Sequence, residues 1–252
     1  HGLFASHPDN DTRLQEVVGT ARSLQTQKEP VIGRDQFLQL IDGLVYGDSA
    51  REGIVRGNTL YHADLGFALQ FPPNWRIDNK PSQVIATAPN GDAQLVLQAE
   101  DLGKRISPRE YLRGRLQSSN VSDERTFQIN GLPAYTMRSR IRTQSGNRPA
   151  RFTTLFFRDK AYTLIGINQN DQHDYDAAFL DSARSFHELT PNEEQLARPL
   201  RLAIIQPEAN TTYADLARRS PLEHFAEQRL RLLNGDYPDG GTQPGRRLKV
   251  VQ

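Results

Sequence analysis

Cysteine is absent from the 252 residues, which excludes disulfides, thiolate metal sites and a cysteine nucleophile together. The compartment stays open on that ground, because many bacterial envelope proteins also do without cysteine. No apolar run approaches the ~20 residues of a membrane-spanning helix, so no transmembrane segment is expected. Neither sign of charge dominates. With 31 basic and 30 acidic residues the formal net charge is +1, which gives no global electrostatic case for nucleic acid or an anionic membrane as a partner. Several catalytic signatures are missing as well: the Gly-x-Ser-x-Gly elbow, the phosphate-binding loop ending in Lys-Ser/Thr, and the dinucleotide fingerprint. So is His-Glu-x-x-His, which sets two zinc ligands one helical turn apart around a glutamate that activates water. None of the six histidines, His1, His7, His62, His173, His187 and His224, belongs to such an array. Asp171, Asp174 and Asp176 lack the glycine and terminal glutamate of a calcium loop and read as helix capping beside a solvated turn.

What is present suits several small cores better than one large one: 37% of residues are hydrophobic and 24% charged. Asp11 or Thr12 can cap a helix whose apolar face is Leu14, Val17, Val18, Ala21 and Leu24. A second helix is expected from about Asp35, burying Phe37, Leu38, Ile41, Leu44 and Val45, with Gly47 as its stop. From Asp48 to Thr59 the polar, glycine-containing chain suits a connector.

The pattern then shifts to period two. Gly66 to Phe71 reads as a strand ended by Pro72-Pro73, with Trp75 as an aromatic anchor beyond it. Further strands are expected at 84–88, 94–99, 125–129, 134–142, 151–157 and 161–168. Asn90-Gly91, Asn130-Gly131, Ser145-Gly146 and Arg158-Asp159 supply turns between them. Ser107-Pro108 opens one helix, through Tyr111, Leu112 and Leu116; Asp174 or Asp176 opens another, burying Phe179, Leu180, Ala183 and Phe186. The expected class is α+β, an antiparallel sheet covered by two helices. Arg138, Arg140, Arg142 and Arg148 share a period of two and are expected on one exposed face. The final stretch reads β-α-α-β: 200–205, 213–219, 222–234 and 247–251.

Three segments carry a family resemblance. Leu3-Phe-Ala-Ser-His-Pro8 with Arg13-Leu14 resembles the segment closing the catalytic domain of Ste24-like and BepA-like bacterial zinc metallopeptidases. The resemblance implies that His7 is a regulatory zinc ligand; the other reading has His7 and Pro8 initiating a helix. The run from Phe37 through Asp48 to Gly57 resembles a linker that follows that domain, and Leu65 to Trp75 resembles the opening of PsbP/DcrB/Mog1-type sheets, whose domains usually act as adaptors. Thr212 to Arg219, Leu230 to Asn234 and Gln243 to Val250 resemble a LysM module. By that resemblance the loops 207–212 and 234–240 would form an N-acetylglucosamine groove around Asn210, Thr211 and Tyr237. Asn210-Thr-Thr-Tyr213 stands where the module usually has Gly-Asp-Thr-Leu, so an architectural role stands beside the glycan one.

The expected organisation is residues 1–58 as a helical tail of a peptidase domain plus linker, 59–190 as an α+β adaptor domain, and 191–252 as a LysM-like domain. The implied function is a non-catalytic accessory region of a periplasmic or secreted zinc metalloendopeptidase, inactive by itself. Zinc would sit in the parent protein and no cofactor in this chain. The partners implied are the upstream catalytic domain and possible peptidoglycan or envelope proteins. The competing reading is a cell-wall or protein-binding anchor.

Overall fold

The computed structural model describes residues 17–20, 33–103, 105–116, 120–143, 146–170 and 173–252. The chain divides into two units, His1–Ile41 and Asp42–Gln252. In the first, residues 17–20 are helical, and helix α1 spans Arg34–Ile41. Leu38 is its buried side chain, while Phe37 and Leu40 are exposed. The helix stops at Ile41, ahead of Gly43 at φ 78°, so Leu44 and Val45 are not helical as expected from spacing. Glycine at positive φ ends a helix without a Cβ penalty.

The second unit contains three antiparallel sheets and is α+β. The largest has seven strands, built from two meanders. Strands β5 (Arg76–Lys80), β6 (Gln83–Thr87) and β7 (Ala93–Asp101) form one; β8 (Val121–Ile129), β9 (Leu132–Thr143), β10 (Gly146–Phe157) and β11 (Lys160–Asn168) form the other. β11 returns beside β7, giving the order β5-β6-β7-β11-β10-β9-β8. The turn chemistry is as the sequence dictates. Asn130 and Gly131 both adopt positive φ, the two-residue turn that matches strand twist, whereas at Arg158-Asp159 and Asn90-Gly91 only Arg158 and Gly91 do.

Alternation assigns the faces of this sheet. Val84, Leu95, Leu97, Leu155, Phe157, Tyr162 and Leu164 point to one side. There they meet Leu60, Phe67 and Leu69 of a four-stranded sheet, β12-β4-β3-β2, comprising His187–Glu188, Phe67–Gln70, Thr59–His62 and Ile54–Arg56. Phe179 and Ala183 of one helix (Asp176–Arg184) complete this core, with Phe186 just beyond it. Phe67 stacks on Phe186 at 4.8 Å and meets Tyr162 edge-on at 4.9 Å, the offset geometries that aromatic quadrupoles favour. The opposite face carries a smaller cluster of Tyr135, Met137, Ala150 and Phe152 under Leu112 of the helix Pro108–Leu116. The two helices, α2 (Pro108–Leu116) and α3 (Asp176–Arg184), thus cover opposite faces. Ser107 caps α2 through a reciprocal pair with Glu110, its hydroxyl accepting from Glu110 N–H at 3.2 Å while Ser107 N–H donates to Glu110 Oε2 at 2.7 Å.

After a short helix α4 (Glu193–Leu196), the chain forms β13 (Leu200–Ile205), α5 (Tyr213–Arg219), α6 (Ala226–Asn234) and β14 (Leu248–Val251). β13 and β14 pair antiparallel, Leu202 opposite Val251, and Tyr213, Leu216, Leu222, Leu230 and Leu248 are buried. Thr212 caps α5 in a box with Asp215.

Three further features depart from the sequence expectations. Arg76–Lys80 is a strand, although its polar RIDNK sequence carries no alternating signal; it is a sheet edge and pairs only with β6. The expected connector 48–59 contains β2, which hairpins onto β3. The basic residues do not share one face. Across the β9–β10 hairpin Arg138 lies opposite Arg151 and Arg140 opposite Pro149, whereas Arg148 lies opposite Ile141. Residues opposite each other share a face. Arg148 therefore sits on the other side from Arg138, because this register pairs even positions with odd ones.

Candidate functional site

Two places in the unit Asp42–Gln252 bear on function, an inter-sheet cleft and a pair of loops at one end of the C-terminal module. The first lies between the two larger sheets. β3 and β4 supply Leu60, His62 and Phe67, and β6 and β7 supply Val84, Leu97 and Ala99. They line an open cleft of about 500 Å³. Leu60, Phe67, Val84 and Leu97 are buried, so the floor is apolar and tightly closed. Its rim is charged. Lys80 and Lys160 stand on the large-sheet side, and Lys160 is ion-paired with Asp101 of the neighbouring strand. Arg51, Glu52 and Asp64 stand on the other side.

His62 is buried at the inner end, stacked on Phe67 at 5.6 Å. Its Nδ1 accepts from Leu65 N–H at 3.3 Å, which assigns the ring proton to Nε2. Burial lowers its pKa, outweighing the Asp64 charge and the Arg51 backbone, which act the other way. Gly53, at φ 83°, packs against two of the lining side chains: a Cβ there would meet Leu60 Cδ1 at 2.8 Å and His62 Cδ2 at 3.3 Å. The backbone of that turn therefore rests directly on the two side chains, an approach only glycine permits.

The second place is the open end of the β13-α5-α6-β14 unit. Thr242 donates from its hydroxyl to Thr211 O at 2.5 Å, which ties the loop after β13 to the loop after α6. Beneath them Tyr213 OH donates to Asp236 Oδ2 at 2.5 Å, and Arg246 reaches Asp236 Oδ1 and Asn234 O, both at 2.8 Å. Burial first, and then the Asp236 carboxylate, push the Tyr213 phenol far up, so it remains a donor. Asn234 Nδ2 donates to Lys249 O and Asn234 Oδ1 accepts from Lys249 N–H, both at 2.8 Å, fixing the loop base to β14. On this frame Asn210 is exposed, Thr211 is half-buried and Tyr237 is 59% exposed. The two expected groove loops are thus adjacent.

Other expected groups are dispersed. His7 lies outside the described residues. His173 contacts buried Asp92 at 3.3 Å, where Tyr175 OH also donates at 3.0 Å; His187 is bonded to Glu193 at 2.9 Å and to Ser185 O at 2.7 Å. The two histidines therefore serve opposite ends of α3. Among the described residues, no group of three or more histidine, aspartate or glutamate side chains is placed to hold a metal ion. None of their helices is long and apolar enough to cross a membrane.

No family model matches the chain, and no curated protein matches it. Solved structures of similar arrangement include the cyanobacterial PsbP (CyanoP) of Synechocystis sp. PCC 6803, at 15% identity and a TM-score of 0.39 over 58% of this chain and 98% of that one. A Bacteroides thetaiotaomicron protein is similar over 79% of this chain and 87% of its own, at 8% identity and a TM-score of 0.45. LpqN of Mycobacterium tuberculosis, described as involved in cell envelope biogenesis, covers 62% of this chain and 95% of its own at 16% identity and a TM-score of 0.35. At these identities the likeness concerns the fold alone.

Sequence reasoning missed two groups. The cleft residues are scattered over strands of both larger sheets and the turns beside them, and only the packing of the four-stranded sheet on the seven-stranded one brings them together. Arg151 was read simply as the start of a strand. It is instead the largest fully buried side chain among the described residues, held by Asp123 and Asp176. A cation at an alternating apolar position of a strand was the available signal.

Proposed function

We propose that the chain is a non-catalytic accessory region of a periplasmic or secreted zinc metalloendopeptidase, positioning or restraining the protease or its substrates. The observation that carries this reading is the course of residues 42–56. Val45 and Tyr46 pair with Arg201 and Leu200 as the edge strand β1 of the C-terminal sheet. Asp42 Oδ1 accepts from Ile204 N–H at 3.0 Å, and Leu202 N–H donates to Leu44 O at 2.8 Å. After the loop that follows β1, Ile54–Arg56 is β2 of the four-stranded sheet, and Asp48 Oδ2 accepts from Val55 N–H at 3.1 Å. The segment resembling a post-catalytic linker thus gives one strand to each module and stitches them together. A tail built this way holds its two modules in one fixed geometry, as a positioning device requires.

In this reading the PsbP/DcrB/Mog1-like sandwich is the adaptor and the β-α-α-β unit a LysM-like cap. Zinc belongs to the parent's catalytic domain, with His7 as a regulatory ligand. The deciding experiment is to sequence the coding region upstream of His1. A His-Glu-x-x-His helix in the same frame is expected; a reading frame that opens near His1 without one overturns the proposal.

The adjacency of the Thr211 and Tyr237 loops favours a second reading, a module that anchors to N-acetylglucosamine polymers. An exposed tyrosine suits the flat apolar face of a sugar ring. Peptidoglycan pull-down is expected to retain the chain, and Tyr237→Ala to weaken retention about tenfold, the upper range of one aromatic contact. Absence of retention by the unaltered chain removes this reading.

A further inference from the structure

The inter-sheet cleft has the composition of a ligand site. Small-molecule sites are concave and mostly apolar, with a few placed polar groups and volumes of roughly 300–1,000 Å³. This one has a volume of about 500 Å³, a floor of Leu60, Phe67, Val84 and Leu97, and charges confined to its rim. Two of its lining side chains are held from outside the cleft, because the Gly53 turn lies against Leu60 and His62. Burial depresses the pKa of His62, so its ring carries no charge near neutral pH.

The rim is asymmetric. Lys80, at the β5–β6 turn, and Lys160, at the start of β11, stand on the large-sheet wall. Asp101 neutralises part of that charge at Lys160. Asp64 and Glu52, with Arg51 beside them, occupy the facing wall. An amphipathic guest is therefore oriented: an anionic head belongs at the lysine wall and is repelled by the acidic one. We propose that the cleft binds an aliphatic carboxylate, its chain on the apolar floor and its head at Lys80 and Lys160. This does not rest on the peptidase reading and stands or falls separately from it.

The test is calorimetric titration of the whole chain with decanoate, decanol and decyltrimethylammonium, each below its aggregation threshold. Decanoate is expected to bind saturably at one site per chain, and more tightly than either of the others. Lys80→Glu, a change at an exposed turn, is expected to weaken decanoate about tenfold and leave decanol unchanged. Ala99→Phe fills the mouth from an exposed strand position that accepts aromatic residues, and is expected to abolish binding of both. Decanol binding as tightly as decanoate overturns the role of the lysines, and tighter binding of the ammonium overturns the polarity. If no probe binds saturably, or if Lys80→Glu leaves decanoate unaffected, the site itself is rejected. Circular dichroism of each variant separates lost binding from lost fold; should Ala99→Phe not fold, the Lys80→Glu comparison still decides.

Discussion

Replacing Arg151 with alanine is expected to destabilise the chain by about 3 kcal/mol, the low end of what breaking a buried ion pair costs. The Arg151 side chain is 1% exposed. Its Nε donates to Asp176 Oδ1 at 2.8 Å and its Nη2 to Asp176 Oδ2 at 2.6 Å, a bidentate fork, while Nη2 also meets Asp123 Oδ2 at 2.5 Å. Asp176 opens α3, and Asp123 sits at φ 50° in a bulge of the edge strand β8. One guanidinium thus joins three elements: the β9–β10 hairpin, the edge strand and the covering helix. The estimate is the low end because the Asp123 side chain is 39% exposed and can rehydrate. Arg151→Lys keeps the charge but not the planar fork, and about half the loss is expected to remain.

Urea denaturation at about pH 7 and about pH 3 checks both the size and the sign. The Arg151 guanidinium holds the Asp123 carboxyl below the usual carboxylate range. A depressed carboxylate pKa adds stability above the unfolded value and loses it as pH falls through the folded one. The deficit of Arg151→Ala should therefore shrink in acid. A deficit under about 1 kcal/mol at neutral pH would place the cluster among surface pairs of little energetic weight.

Gly166→Val is expected to cost about 3 kcal/mol, the upper range for overpacking a filled core. A Cβ at Gly166 would lie 2.2 Å from Phe179 Cγ and 2.3 Å from Cδ2, so the ring of α3 lies flat on the bare backbone of β11. Neither side can yield cheaply. β11 is hydrogen-bonded on both sides, to β7 and β10, and Phe179 is locked between Trp75 and Tyr175. Thermal unfolding of Gly166→Val, Phe179→Leu and the double variant forms a mutant cycle. The double variant should be more stable than the sum of the singles predicts, by about 1 kcal/mol or more, since the smaller side chain vacates the space valine needs. Strict additivity would show that the contact is not the cause.

Much of this architecture was legible along the chain. Where alternation, turn residues and caps agreed, the elements formed as the sequence implied. Asn130-Gly131 turns a hairpin, Ser107-Pro108 starts α2, and the last fifty-odd residues run β-α-α-β. These signals are local, set by the φ preferences of a few residues and by side-chain periods of two and 3.6. Where they were weak the reading slipped. RIDNK became a strand through pairing with β6, and Val45-Tyr46 became one through pairing with β13. An edge strand needs no apolar pattern of its own once a neighbour supplies its hydrogen-bond partners.

The candidate sites divide along the same line. Asn210, Thr211 and Tyr237 belong to loops that the β-α-α-β order itself brings to one end. The cleft and the Arg151 cluster depend on register and on which sheet faces which, and these are non-local. Parity along the sequence put Arg138 and Arg148 together, but the hairpin register separated them and set Arg151 opposite Arg138 instead.

By itself, then, the sequence determined that this is a cysteine-free α+β chain with one α/β unit of β-α-α-β order at its C-terminal end. It also determined that no zincin motif lies within these residues. Only the tertiary structure decided that residues 42–56 stitch two modules together, that an arginine is buried, and that a lysine-rimmed apolar cleft opens between the sheets. The physical reason is that caps, turns and periods act within a few residues. Strand register and sheet packing, by contrast, are settled by side chains far apart in the chain that meet only when the core closes.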